Sequence, residues 1–181
     1  WNAPDRNDHG SDIWWDGKET LYHFNGLSTG YGWSRLALVM RTSTDNGATW
    51  SDARIIGPEH GLRHQVIAGA LRTSAGRMIV KCDARRGGNG GTAVHLSDDG
   101  GETWRDPGAG KNEPPFAEGG KGAWIAGIHA ALAEAPDGRL VAFGRGDNID
   151  GQMPRSESAD GGRTWTYHAS GLAPIGGGQR A

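Results

Sequence analysis

Cysteine is almost missing from this chain: Cys82 is the single thiol in 181 residues, so no disulfide can form within it. Cys82 follows an apolar run, which suits a small buried side chain. The histidines show no zinc-type spacing. No apolar run approaches the length a membrane-crossing helix needs. Neither sign of charge dominates, since 19 Lys and Arg stand against 21 Asp and Glu, a net −2. That balance argues against a basic face for nucleic acid, and neither nucleic acid nor membrane is expected as a partner. Helical periodicity is poor throughout. Gly176-Gly177-Gly178 lacks the following Lys-Ser or Lys-Thr of a phosphate loop. What the chain has in quantity is glycine, 32 residues, and tryptophan, 8 residues. Together with short apolar runs they point to an all-β fold with many turns. The length allows one sizeable core.

An octamer occurs three times. Ser43 to Trp50, Ser97 to Trp104 and Ser158 to Trp165 all fit Ser-x-Asp-x-Gly-x-Thr-Trp without gaps. The Asp can accept hydrogen bonds from its own turn. The Gly supplies a backbone angle that other residues resist. The Thr suits the start of a strand, and the Trp covers a large apolar face. The octamer therefore reads as a self-fastened hairpin turn. A calcium-binding role for Asp45, Asp99 and Asp160 is disfavoured, because the terminal Glu of an EF-hand loop is missing.

The tryptophans at 50, 104 and 165 recur at about 55–60 residues, which suits propeller blades of four strands with enlarged loops. Strands are expected over 12–15, 20–24 and 35–41 in the first unit. In the second they fall over 65–73, 77–82 and 92–96, with 103–105 leaving the octamer. In the third they fall over 128–135 and 139–143. A helix over 128–134 is the local competitor, and the repeat alignment overrides it. The whole chain is one partial domain, with blades at about 9–57, 64–108 and 125–173 and the start of another at 174–181. Three blades do not close a ring and leave strand edges open. The chain begins at Trp1 and stops at Ala181, and it reads as part of a longer propeller. Self-association through the open edges is the second expectation.

The octamers mark one end of the blades. The opposite end carries the polar loops, and loops held by a rigid scaffold usually carry function. Arginine forks grip carboxylates, and carboxylates or His serve as acid and base. The candidate catalytic residues are Asp147, Asp8, His64 and His129. The candidate substrate-binding residues are Arg145, Arg180, Arg85, Gln179 and Trp124. Bland readings stand beside them. Arg145 and Asp147 could pair with each other, Arg85 and Arg86 could belong to a solvated loop, and each His could be a hydrogen-bonded structural residue. Trp14 is expected in the core, Trp33 and Trp124 at loop contacts.

The octamers and their flanking strands, with Gly61 to His64, Gly144 to Asn148 and Pro174 to Arg180, resemble the sialidase-like superfamily of Asp-box, or BNR-repeat, propellers. The resemblance implies a six-bladed parent and secretion or a periplasmic location in bacteria. It also implies an arginine triad on a substrate carboxylate, a Tyr–Glu nucleophile pair, an Asp acid/base and no metal or other cofactor. The Arg-Ile-Pro signature of the first triad arginine is not in this sequence, and no Tyr matches the nucleophile. Three functions follow. The leading one is an exo-sialidase type of glycoside hydrolase acting on a glycan with a terminal acidic sugar. The second is a uronate-directed lyase or glycosidase using His64 or His129. The third is a non-catalytic module that binds glycan or protein.

Overall fold

The computed structural model describes residues 8–28, 36–56, 63, 65–85 and 89–176. These form twelve strands and, among the described residues, no helix. The first sheet is an antiparallel meander of β1 (Asp8–Trp15), β2 (Leu21–Ser28), β3 (Leu36–Ser43) and β4 (Arg54–Ile55), in that order. The second holds β5 (Val66–Arg72), β6 (Met78–Arg85) and β7 (Asn89–Ser97). Its expected fourth strand at 103–105 is reduced to a bridge between Leu96 and Arg105. The third sheet contains β8 (Lys121–Gly122), β9 (Ile128–Glu134), β10 (Leu140–Arg145), β11 (Pro154–Ser158) and β12 (Trp165–Ala169). Its order is β9-β10-β11-β12-β8, so β8 closes an outer edge that the repeat pattern did not reveal. The segment that competes for a helix is strand β9, because its backbone groups pair with β10 from Ile128 to Glu134. The result is three blades of an open, partial β-propeller.

The octamers fold as expected and show one further device. In each, the Thr N–H and hydroxyl both donate to the Asp carboxylate, as from Thr49 to Asp45 at 2.8 and 2.6 Å. The leading Ser is the added device. Ser43 Oγ donates to Asp45 at 2.7 Å and accepts the Gly47 N–H at 2.8 Å. Ser97 and Ser158 do the same for Asp99 and Gly101, and for Asp160 and Gly162. Gly47, Gly101 and Gly162 take φ of 87°, 94° and 90°, a region closed to most side chains. The hydrogen bonds from Thr49 and Thr103 hold the Asp45 and Asp99 carboxyls down at about 2. At Asp160 burial pushes upward, but the bonds from Thr164 and Ser158 outweigh it and the carboxyl lies below its ordinary value.

Neighbouring blades share two apolar cores. Tyr22, Phe24, Leu38 and Met40 of the first blade meet Val66, Met78 and Val80 of the second. Ile79, Val94 and Leu96 of the second meet Ile125, Leu140, Ala142, Trp165 and Tyr167 of the third. The period of two along β6 thus sends Met78 and Val80 to one face and Ile79 to the other. Arginines fasten the second and third octamers to the blade before each. Arg54 donates to the Gly101 carbonyl at 2.6 Å, and Arg77 to the Gly161 carbonyl at 2.9 Å. Innermost strand β1 lies against β5, and β5 against β9. Trp14 packs at the margin of the first core, whereas Ile13 and Trp15, 64 % and 58 % exposed, project from the other side of β1.

Two outcomes test this account. Trp165, 1 % exposed, should cost about 3–5 kcal/mol when truncated to Ala, measured by urea unfolding, and half-buried Trp50 should cost less. The lowered Asp45 and Asp99 carboxyls stabilise the folded chain fully above the ordinary carboxylate value of 3.8, and that contribution is lost as pH falls toward 2. The Asp45→Asn/Asp99→Asn double variant should therefore be less stable at neutral pH and lose less stability on acidification, as followed by tryptophan fluorescence.

Candidate functional site

A cavity of about 320 Å³ opens between innermost strands β1, β5 and β9. Its polar lining comes from Ser11, Gln65, Lys81 and His129. His129 is the hub. It sits at the start of β9 with φ of 52°, an unusual backbone for a residue with a Cβ. Arg145, at the end of the adjacent strand β10, brings Nη2 to 3.0 Å from His129 Nδ1. Arginine can only donate, so Nδ1 accepts and the ring proton sits on Nε2. On that side lie Asp83 Oδ2 at 3.2 Å and the Gln65 side-chain amide at 2.9 Å. The His129 N–H also donates to Asp83 Oδ1 at 3.4 Å. The imidazole is thus fixed in orientation by contacts at both ring nitrogens. Arg145 is 8 % exposed, and its Nε has no hydrogen-bond partner.

Among the described residues, therefore, Arg145 does not pair with Asp147 across the loop; it meets His129. Asp147 lies beside the start of β9. Burial raises its carboxyl above the ordinary value, the negative Glu113 adds to this, and the Gly127 N–H opposes it. Arg85, half exposed, forms an ion pair with Glu113 at 2.5 Å. Arg85, Glu113 and Asp147 therefore form a second polar group at the loop-bearing end.

Trp124 is a correction. It was expected to reach sugar from a loop, yet it is 4 % exposed and packs with Cys82, Ala84 and Ala93. The Arg63 guanidinium covers its ring at 5.1 Å. Its indole lies so close to Gly108 that a Cβ there would sit 1.9 Å from Nε1. Trp124 is a core side chain whose place depends on a glycine some way along the chain, a contact that no local pattern reports. His64, Gln179, Arg180 and the side chain of Asp8 lie outside the described residues, as does Trp33.

Two pairs mimic nucleophilic dyads and are not. Ser11 Oγ lies 2.7 Å from His23 Nε2. Arg41 Nε donates to His23 Nδ1 at 3.1 Å, so Nε2 carries the proton and cannot take one from Ser11. Cys82 Sγ lies 3.7 Å from His95 Nδ1. Burial pushes the thiol far up and brings His95 down to about 4, so this pair stays neutral. Tyr22 and Tyr167 spend their hydroxyls on the carbonyls of Gly100 and Trp124. Among the described residues no cluster of His, Cys, Asp or Glu could hold a metal ion.

Lys81 is the residue that sequence patterning missed. On β6 it follows Ile79 by two positions, and so takes a core position on the face toward the third blade. It is 2 % exposed. Burial lowers its ammonium from 10.5 to about 8, with Asp12 opposing the drop. The charged residue inside the apolar run Met78 to Cys82 was the available signal.

This geometry, a partial propeller with a polar cavity along its innermost strands, agrees with the comparisons. A family model described as a BNR repeat-like domain matches residues 13–174. The chain belongs to that family. No curated protein matches it. Among solved structures, it is similar to the Hadza microbial sialidase Hz136, with a TM-score of 0.66 at 18 % identity over 92 % of this chain and 34 % of that one. It is also similar to Trypanosoma rangeli sialidase in complex with the inhibitor DANA, with a TM-score of 0.58 at 22 % identity, covering 90 % and 28 %. A fructofuranosidase from Schwanniomyces occidentalis complexed with fructose gives a TM-score of 0.56 at 14 % identity, covering 92 % and 35 %. The chain thus spans about a third of the length of these neighbours. The likeness establishes a sialidase-like propeller fold, which other chemistries share.

A buried lysine with a lowered pKa opposes folding fully below about 8, and this penalty fades as pH rises toward 10.5, where the unfolded chain also loses its proton. Lys81→Met should therefore stabilise the protein at pH 7, by up to roughly 3 kcal/mol. The difference from wild type should shrink between pH 8 and 10.5 in matched denaturant titrations.

Proposed function

We propose that this chain forms part of a glycoside hydrolase of exo-sialidase type, acting on a glycan that ends in an acidic sugar. The observation that carries the reading is Arg145. A guanidinium only 8 % exposed, with an unpartnered Nε and a histidine holding one fork nitrogen, is a cation positioned for an anion. Fixing it beforehand lowers the ordering cost of binding. His129 then serves as a positioning residue. Asp147, its carboxyl held above the ordinary range, suits a general acid that must keep a proton for the leaving oxygen. Sialidase and inhibitor-bound sialidase neighbours support this choice of substrate class.

The uronate-directed reading, with His129 as general base, is weaker. Its Nδ1 faces an arginine donor and its Nε2 carries the proton. The binding-module reading keeps the acidic glycan but drops the chemistry.

Hydrolysis of a fluorogenic sialoside and of a matching glucuronide distinguishes these. Arg145→Ala should lower kcat/KM on the sialoside by about 10²–10³, the loss of charge-assisted bonds to a carboxylate. Asp147→Asn should lower kcat by about 10²–10⁴ and remove the alkaline limb of the pH profile. That limb marks loss of activity as the raised carboxyl deprotonates. Turnover of the glucuronide alone would favour the uronate reading. Sialoside binding without turnover would favour the module.

A further inference from the structure

Lys81 has an ammonium that the fold does not satisfy. Nζ donates to the Ala130 carbonyl at 2.7 Å, and among the described residues this is its one hydrogen bond. A lysine has three donors. No carboxylate among the described residues forms an ion pair with it within 4.0 Å. Burying a cation with one neutral carbonyl as its hydrogen-bond partner is costly, and the charge of Asp12 offsets only part of the removal from water. Proteins retain such a group where a ligand completes it.

The surroundings leave room for one. Lys81 lines the 320 Å³ cavity between β1, β5 and β9. Opposite it, β5 breaks register with β6 between Ile67 and Leu71. Gly69 lies in that break with φ of 93°, and a Cβ there would sit 3.4 Å from Nζ. Gly69 therefore borders the amine within ordinary contact distance. The Ala70 N–H, turned away by the irregularity, donates to Asp12 Oδ2 at 2.7 Å. One Asp12 oxygen is thus bonded to the backbone, and Asp12 acts on Lys81 through space without a direct ion pair. Ser11 and Gln65 add neutral polar groups to the same walls.

We infer that Lys81 is an anion-binding residue of this cavity, and that its ammonium takes the carboxylate of an acidic sugar as its missing counter-charge. The inference rests on the reading that the ligand is acidic, and it adds a contact which that reading does not require. Arg145 is hydrogen-bonded to His129 in the cavity wall, whereas Lys81 is itself a lining residue. The charged or titratable groups facing Nζ are Asp12 from β1 and His129 from β9, and β5 presents only neutral residues there. The lowered value of about 8 accords with an amine that burial penalises more than Asp12 relieves, and a further anion should raise it.

The test is an NMR titration of the protein with lysine side chains ¹⁵N-labelled and Lys81 assigned through Lys81→Met. Sodium acetate and N-acetylneuraminate are the probes, with galactose as the neutral control. Both anions should raise the titration midpoint of Lys81 while galactose leaves it unmoved. Affinity of the acidic sugar, measured by calorimetry at pH 7, should fall at least tenfold in Lys81→Met, with Lys81→Gln as the second variant should the first fail to fold. N-acetylneuraminate binding wild type without moving Lys81, or binding both variants as tightly, would overturn the inference and leave the sialidase-type reading standing. Acetate moving Lys81 while N-acetylneuraminate does not bind would uphold the anion site and sink the sugar assignment. A midpoint indifferent to both anions would overturn the inference.

Discussion

The middle sheet is buried on both faces, and the remaining architecture follows from that constraint. Met78 and Val80 pack toward the first blade and Ile79 toward the third. A sheet with two apolar faces cannot stand alone in water; it needs a partner on each side. Stacking sheets this way brings their innermost strands side by side, β1 on β5 and β5 on β9. The cavity is the space those strands leave. Its polar groups, Ser11, Gln65, Lys81 and His129, come from three blades. No single blade could assemble it.

The two ends of the blades divide the work. At one end the Ser-Asp-Thr clamps consume their own carboxylates, and Arg54 and Arg77 tie the second and third octamers to the preceding blades. Asp45, Asp99 and Asp160 are thereby committed to their own turns. At the other end the charged groups answer to one another less completely. Arg145 keeps an unpartnered Nε, Asp147 is crowded by Glu113, and Lys81 has one neutral acceptor. Incomplete satisfaction of buried polar groups is what a fold avoids where it has only itself to stabilise.

The octamer spacing made the blades legible, because each copy is a local unit that fastens itself through residues four apart. It also carried β9 over the helix-favouring run of His129 to Glu134. Edges were less legible. β8 pairs with β12 from a distant loop, and the expected strand at 103–105 shrank to one bridge, since edge pairing depends on what else reaches that place. Of the site, Asp83 was not singled out, whereas His129, Arg145 and Asp147 were visible as polar residues near strand ends. Their pairing was not, because it depends on the approach of β9 to β10 and of one blade to the next. Trp124 was misjudged because its burial depends on Gly108 and Arg63. Lys81 went unnoticed inside a hydrophobic strand whose alternation placed it in the core.

The proposed function requires the cavity along the innermost strands to receive an anionic sugar next to the groups organised by His129. A crystal structure of the protein soaked with N-acetylneuraminate tests this most directly. The account predicts density for the sugar between β1, β5 and β9, with its carboxylate within hydrogen-bond reach of Lys81 or Arg145. Sugar bound at the octamer end, or in the cavity with its carboxylate turned away from both cations, would contradict it.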